Sequence, residues 1–343
     1  MKNIFTSVLI TFISSGISFV SLAQQIQVKN DSINKKSSLT IHDQDSTKKV
    51  FRLKTAYLEM FPEKYPQNIK TGRLATTITL EGSLFVASLV GLNDLWYSKY
   101  SRSKFHLFND SHEWLQMDKI GHAYTASAIS SFCYQSFRWS GVKPNTSLIY
   151  GCAVGLGYMT TIEVLDGYSS GWGFSVSDMT ANIAGTSFFL AQQLLWQHQY
   201  MKLKFSYHPS VYAQYRPEAL GDNASQRILK DYNGQTYWLS LGSSIFLPKK
   251  ANFPRWLCIS FGYGADAMLG GFSNPEVNEK GTHLPDYERY RQYYLSLDVD
   301  FTMIKTKSKF LRMVFMAVNA LKVPFPTLEY NSKGQFKFHY LYF

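Results

Sequence analysis

Five polar side chains lie in three short stretches of the 343-residue chain that are otherwise rich in apolar and small residues. The first stretch contains Asp118 and His122, the second contains Glu163, and the third contains Asp178 and Asn182. Residues four apart share one face of a helix, so Asp118 can form a hydrogen bond with His122, and Asp178 stacks with Asn182. Glu163 follows an apolar run, where an unpaired charge is costly. The spacing predicts that all five side chains converge, with Asp118 orienting the His122 ring.

Three roles fit such a cluster: a structural network, a metal site and a catalytic site. The favoured interpretation is a buried structural network of Asp118, His122, Glu163, Asp178 and Asn182 that fixes how helices pack. A metal site with His122, Glu163 and Asp178 as ligands is the second, and a catalytic acid–base site using Asp118, His122, Glu163 and Asp178 is the third. Zinc hydrolases usually supply two or three imidazoles or thiolates, which argues against that class here. No cofactor and no cofactor-binding residue is predicted.

One neighbouring charge receives no role at this point. Lys119 follows Asp118 directly, and successive residues of a helix point about 100° apart around its axis. No role in the cluster is therefore assigned to Lys119.

Four candidate helices must position the cluster, at residues 74–96, 118–139, 147–165 and 177–196. The pairs Gly151/Gly155 and Ala181/Gly185 place small residues on one helical face, which allows neighbouring helices to approach closely. Each helix has about the 20 residues needed to span a membrane. Polar residues interrupt them, however, so a compact buried bundle is an equal alternative.

The C-terminal part has a different pattern. Residues 293–304 alternate between apolar and polar side chains without a break, which is typical of a strand. Weaker alternation marks residues 203–215, 237–247 and 256–268. The chain ends with Phe336, Phe338, Tyr340 and Tyr342 on one predicted side, and residues 310–321 fit a helix. About five strands are fewer than the eight of the smallest membrane barrels, so a curved sheet or partial barrel is expected.

Composition and the first residues bear on location. The chain is 45% hydrophobic, 16% aromatic and 17% charged, with a net charge of +11, which excludes a disordered chain and argues against an ordinary cytoplasmic enzyme. Residues 1–23 resemble a secretory signal peptide, and residues 24–56 fit a flexible linker. The positive charge suits anionic envelope lipid, whereas nucleic acid is not expected because no basic run lies in a folded motif.

The order of the motifs carries a resemblance. The series Asp118-Lys-x-Gly-His122, Glu163-x-x-Asp-Gly and Gly173-Phe-Ser-x-x-Asp178-x-x-Ala-Asn182-x-x-Gly185 resembles the predicted periplasmic lipoproteins of unknown function typified by YfiM. It is more distantly similar to the VanZ-like helical membrane proteins. The resemblance covers roughly residues 74–196 and implies a small helical envelope unit with an internal polar cluster, without implying a reaction. This chain lacks the lipidated cysteine and adds a long β-rich extension after Tyr200.

Together these observations predict an α+β envelope protein. A four-helix, VanZ-like domain at residues 57–200 is followed by a β-rich, membrane-associated region at 201–343. The expected location is the outer membrane or the periplasmic face of a Gram-negative envelope. The leading hypothesis is a non-enzymatic scaffold or accessory factor in outer-membrane biogenesis or maintenance, with envelope lipid and an outer-membrane protein as partners. The alternatives are a lipid- or cell-wall-directed enzyme and a lipid-binding or transport module.

Overall fold

The computed structural model describes residues 65–66, 68–97, 100–247 and 253–343. The predicted signal peptide at 1–23 and linker at 24–56 lie outside these residues. The described part combines helices with one antiparallel sheet, so the α+β class is confirmed. Its helices are α1 (Thr71–Leu95), α2 (Met117–Trp139), α3 (Pro144–Asp166), α4 (Val176–Trp196), α5 (Pro217–Leu220), α6 (Ala224–Lys230) and α7 (Lys309–Val318).

The chain divides into two units, and the smaller contains most of α1. Its described residues run up to Leu92 and include Trp139–Gly141. Within it, Lys70 N donates to Ser140 O (2.8 Å) and the Arg73 guanidinium lies over the Trp139 ring at 5.0 Å. Because α1 belongs mainly to this unit, a bundle that joins it to α2–α4 stays a prediction.

In the larger unit, α3 and α4 approach α2 at small residues. A Cβ atom added to Gly151 would lie 2.7 Å from Tyr134 N, and one added to Gly155 would lie 2.9 Å from Ser130 N. A Cβ atom on Gly185 would collide with the Ala123 carbonyl oxygen. The close approach predicted from the small-residue spacing is therefore confirmed for these three glycines, and α2 lies against both neighbours.

Two helices, Thr71–Leu95 and Pro144–Asp166, are long and apolar enough to cross a membrane. Length and composition alone support this, and core helices of soluble proteins pass the same test. Pro144–Asp166 contacts α2 at Gly151 and Gly155, so part of its surface is occupied by protein.

The sheet has six strands in chain order, each antiparallel to its neighbour. They are β1 (Met201–Tyr207), β2 (Gln235–Gly242), β3 (Leu257–Asp266), β4 (Tyr290–Val299), β5 (Phe325–Asn331) and β6 (Phe336–Tyr342). The sheet is open, with β1 and β6 at its ends. The strand β5 was not predicted because it contains Pro326, and proline within an apolar run argues against a strand.

The polarity of the two faces of the sheet is the reverse of that usual in a soluble protein, where the buried face is apolar and the exposed face polar. The inner face is buried and largely polar, with Lys204, Ser206, Trp238, Ser240, Ser260, Tyr294, Ser296, Asp298, Thr327 and Glu329. The outer face is exposed over β3–β6 and apolar, with Ile259, Phe261, Tyr293, Leu295, Leu297, Leu328, Tyr330, Phe336, Phe338 and Tyr340. The alternation predicted from the sequence is therefore confirmed over these strands, and the apolar side chains face outward.

The sheet is strongly curved, so that side chains of its inner face meet across the concave side although the sheet stays open. Tyr342 of β6 has its hydroxyl 3.2 Å from Thr236 Oγ1 of β2, although three strands separate them. The Tyr342 ring also stacks on Tyr294, with centroids 4.6 Å apart. Tyr342 was predicted on the same side as Phe336, Phe338 and Tyr340, and this is wrong, because the β5–β6 pairing shifts register. A curved open sheet is the observed form.

Candidate functional site

Three helix ends bring the predicted polar residues together in the larger unit. Asp118 lies in the first turn of α2 and Asp178 in the first turn of α4, while Glu163 lies in the last turn of α3. Helix N-termini carry partial positive charge and favour the two aspartates, whereas the C-terminus of α3 disfavours a charge on Glu163. Ser175 caps α4 by accepting a hydrogen bond from Asp178 N (3.0 Å).

Lys119 lies at the centre of the site. Its Nζ is 2.8 Å from Asp110 Oδ1, 3.0 Å from Asp118 Oδ2 and 2.6 Å from Asp178 Oδ1. The sequence assigned Lys119 no role, and the structure corrects this, because its long flexible side chain can fold back across the helix end. The angle between Cα positions does not determine where the ammonium lies.

The imidazole of His122 is held from its Nδ1 side. Nδ1 lies 3.3 Å from Glu163 Oε1 and 3.2 Å from Asn182 Oδ1. Nε2 is 3.7 Å from Asp118 Oδ1, which is beyond hydrogen-bond distance. Asp118 Oδ1 instead accepts a hydrogen bond from the Tyr232 hydroxyl (2.5 Å). Asn182, rather than Asp118, therefore orients the ring, and Glu163 lies beside it.

Further polar residues at the site were not predicted. Asp110 Oδ1 accepts hydrogen bonds from the Ser175 and Ser177 hydroxyls at 2.6 and 2.7 Å. Asp166, which ends α3, accepts one from the Tyr97 hydroxyl (2.7 Å). No spacing rule connects Asp110 or Tyr97 with the cluster, because loops place them there.

Two carboxyl groups at the site are stabilised in the ionised form. Burial acts to raise the pKa of Asp110, but hydrogen bonds from Asp178, Lys119 and the serines outweigh it and lower the pKa to about 2. Burial acts the same way on Asp118, and the charges of His122 and Lys119 lower its pKa. The same carboxylates raise the pKa of Lys119 above its ordinary value, against the effect of burial.

Three other carboxyl groups resist ionisation. Burial raises the pKa of Glu163 to about 8, and it raises those of Asp166 and Asp178 to about 7. For His122, burial acts to lower the pKa, but the charges of Asp118, Asp178 and Glu163 outweigh it and the pKa is raised. The site contains more carboxyl groups than it has cations to pair with them, and it holds protons near neutral pH as a result.

A left-handed turn leads into α2 just before the site. Trp114, Leu115 and Gln116 have φ values of 47°, 50° and 67°, which cost conformational energy for residues with a side chain. The Tyr263 hydroxyl donates to Leu115 O (2.5 Å), and the Arg291 guanidinium donates to Gln116 Oε1 (2.5 Å). Side chains of β3 and β4 therefore hold the segment that fixes where α2 begins.

Two features of the cluster bear on whether it can bind a ligand. One potential ligand atom each from Asp118, His122 and Asp178 lies within 4.8 Å of the others. Among the residues that the structure describes, Asn182 is fully buried and its Nδ2 has no hydrogen-bond partner. Such a group usually has a partner in a folded protein.

Comparison with known proteins concerns this same segment. Residues 106–193 match the model of a family described as "Predicted periplasmic lipoprotein (DUF2279)". No curated protein and no solved structure matches the chain. The match covers less than half of the chain but contains Asp118, Lys119, His122, Glu163, Asp178 and Asn182. The predicted resemblance to periplasmic lipoproteins is therefore confirmed for this segment, while the VanZ-like similarity stays a prediction. The helical segment that carries the polar cluster is similar to a periplasmic lipoprotein family of the cell envelope, which supports export of the chain.

Proposed function

We propose that the protein is an outer-membrane scaffold or accessory factor whose curved sheet contacts lipid. The reversed polarity of the sheet is the observation that carries this proposal. A lipid acyl environment satisfies an apolar outward face, whereas water does not. The net charge of +11 suits anionic head groups at the same surface.

Strand register arranges the outer face in continuous rows. Phe261, Leu295, Leu328 and Phe338 are direct neighbours across β3–β6 and form an apolar row. Tyr263, Tyr293, Tyr330 and Phe336 form a parallel aromatic row two residues away along each strand. Aromatic rows flanking an apolar band are typical of the boundary between acyl chains and head groups.

The inner face supports the same orientation. Lys204 and Asp298 are fully buried and form an ion pair of 2.8 Å. The Ser240 hydroxyl donates to Asp298 Oδ2 (2.6 Å), and the Trp238 indole donates to Ser206 Oγ (2.8 Å). The polar groups form hydrogen bonds and ion pairs with one another inside the curved sheet. The apolar side chains of the other face therefore point outward, towards the surroundings of the protein.

Membrane fractionation tests the proposal. The full chain should be recovered in the outer-membrane fraction after a high-salt wash, and the double variant L295K/L328K should shift to the soluble periplasmic fraction. Leu229→Lys is a matched control, because Leu229 is 43% exposed on α6, outside the strands of the sheet. Recovery of the wild-type chain in the soluble periplasm contradicts the proposal. A soluble oligomer would indicate that a second copy covers the face instead.

A second candidate is a lipid- or cell-wall-directed enzyme. The arrangement of His122 favours it, since Asn182 Oδ1 can accept a hydrogen bond from Nδ1, and Nε2 has no hydrogen bond to Asp118. A general base needs an oriented imidazole of this kind. His122→Gln should then fold and fractionate normally yet fail to correct the envelope defect of a deletion strain. Loss of the fold would favour a structural network.

The lipid-binding or transport module stays a prediction. It requires a groove at the small-residue seam, and Gly151 and Gly155 pack against α2 there. Lipid that co-purifies with the chain, detected by mass spectrometry, is the outcome that would support it.

A further inference from the structure

We propose that Asp118, His122 and Asp178 bind one divalent metal ion, with Asn182 and Glu163 on the Nδ1 side of the imidazole. The proposal does not depend on the lipid contact of the sheet, so each can fail without the other. It also differs from the ligand set predicted from sequence, in which Glu163 was a ligand and Asp118 was not.

The first argument is distance. The three potential ligand atoms lie within 4.8 Å of one another, and His122 Nε2 is 3.7 Å from Asp118 Oδ1. Ligands bound to a common metal at about 2.0–2.2 Å stand roughly 3–4 Å apart. The gap between Nε2 and Oδ1 is too long for a hydrogen bond and has the width that two ligands of one ion require.

The second argument is the direction of the ring. His122 Nδ1 lies 3.2 Å from Asn182 Oδ1, which can accept its proton, and 3.3 Å from Glu163 Oε1. A metal-binding histidine almost always donates its other ring N–H to a carboxylate or carbonyl, which fixes the tautomer with Nε2 free to coordinate. Here the amide oxygen of Asn182 is that acceptor, and the fully buried Glu163 lies beside it.

The third argument is charge. Asp110, Asp118, Glu163 and Asp178 place four carboxyl groups around Lys119, which forms ion pairs with three of them. Even with a positive charge on His122, the fully ionised cluster has two negative charges in excess. Unpaired buried charge is costly, and a divalent ion would cancel the excess.

The fourth argument is Asn182, one turn after Asp178 on α4. Its side chain is fully buried, its Oδ1 is 3.2 Å from His122 Nδ1, and its Nδ2 has no partner among the described residues. Because Oδ1 lies on the Nδ1 side of the ring, it can accept the Nδ1 proton, which leaves the Nε2 lone pair free for a metal ion. The mixture of nitrogen and oxygen donors favours Mn²⁺ or Zn²⁺ over Ca²⁺, which takes six to eight oxygens.

Titration of the purified, EDTA-stripped full chain with Mn²⁺ and Zn²⁺ tests the proposal. We expect one ion per chain and a rise in Tm on binding. His122→Gln and Asp178→Asn should each weaken binding at least 100-fold, and Glu163→Gln should weaken it about 10- to 100-fold. His106→Gln is a matched control outside the site and should bind as the wild type does.

Two results would overturn the proposal. One is a folded wild-type chain that takes up neither ion at millimolar concentration. The other is binding that survives unchanged in both His122→Gln and Asp178→Asn. If those variants fail to fold, electron paramagnetic resonance of Cu²⁺ in the wild-type chain decides: coupling to one imidazole nitrogen, retained in His106→Gln, supports the site, and its absence contradicts it.

Discussion

Burial of Glu163 and Asp178 makes the stability of the protein depend on pH in an unusual direction. The pKa of Glu163 is raised to about 8 and that of Asp178 to about 7, both chiefly by burial. Each group therefore binds a proton more tightly in the folded chain than in the unfolded chain, where its pKa is about 4. Their contribution to stability is present at about pH 5 and is lost as the pH rises through 7 and 8.

Asp110 has the opposite effect on how stability depends on pH. Hydrogen bonds lower its pKa to about 2, against burial, so its contribution is present above about pH 4 and lost in stronger acid.

We expect the EDTA-treated protein to be most stable near pH 5 and to lose on the order of 1–3 kcal/mol by pH 8.5. Urea unfolding across this range measures the effect. Glu163→Gln should flatten the alkaline part, and stability that climbs steadily to pH 8.5 would contradict the assignment.

For single residues, the sequence predicted which side chains come together when they share one face of a helix. Asp118 and His122 share such a face, as do Asp178 and Asn182, and the structure brings all four side chains near Glu163. It failed for Lys119, whose ammonium lies four carbons from its backbone. It also missed Tyr232, because a hydrogen bond between residues 114 apart leaves no local pattern.

Among the elements, α4 ends on a residue whose conformation favours glycine. Gln197 has φ 53° and ψ 23°, and its backbone N–H bonds to Gln193 O. A left-handed residue with a side chain at this position costs energy that glycine avoids. Gln197→Gly should therefore raise the free energy of unfolding by about 0.5–1 kcal/mol.

Thermal unfolding measures this change directly. The matched control is Gln193→Gly, one turn earlier in the same helix, where glycine should lower stability by about 1 kcal/mol. Equal effects of the two substitutions would show that helix propensity, rather than the left-handed end, determines the result.

The curved sheet depends on the ion pair inside it. Lys204 Nζ lies 2.8 Å from Asp298 Oδ2 and donates to Val299 O (2.7 Å), with no exposed surface on either charged side chain. Lys204→Met would leave the aspartate charge buried without a partner and should cost about 3–5 kcal/mol. The double variant K204M/D298N should recover part of this loss. Urea unfolding of both variants compares them, and equal losses would contradict the pairing.

The helices and most strands were predictable because each repeats one pattern over many residues. Residues 118–139 and 147–165 were predicted as helices, and the structure has them at Met117–Trp139 and Pro144–Asp166. The reversed polarity of the sheet was predictable from the alternation in residues 293–304. The strand β5 was not, since Pro326 interrupts the pattern while the pairing with β4 and β6 still forms.

Over the whole molecule, the C-terminal region contributes to the helical site. Met117, at the start of α2, is buried with Ala265 and Met268. A side chain at Gly121 of α2 would meet the Tyr237 hydroxyl at 2.7 Å, so β2 lies directly against the helix. The family match ends at residue 193, before all of these partners. Sequence reasoning placed the helices and the β-rich region one after the other but could not show this contact, since nothing local encodes it.

The strand order has a consequence for how the protein is made. Every pair of hydrogen-bonded strands is consecutive in the chain, so the sheet needs no strand from a distant part of the sequence before it can grow. Topologies dominated by such local pairings fold faster than those that must close long loops. As the chain is exported, each hairpin can form once its second strand has emerged, with Phe336–Tyr342 added last. The apolar outer face then enlarges one strand at a time and reaches its full extent only when β6 pairs with β5.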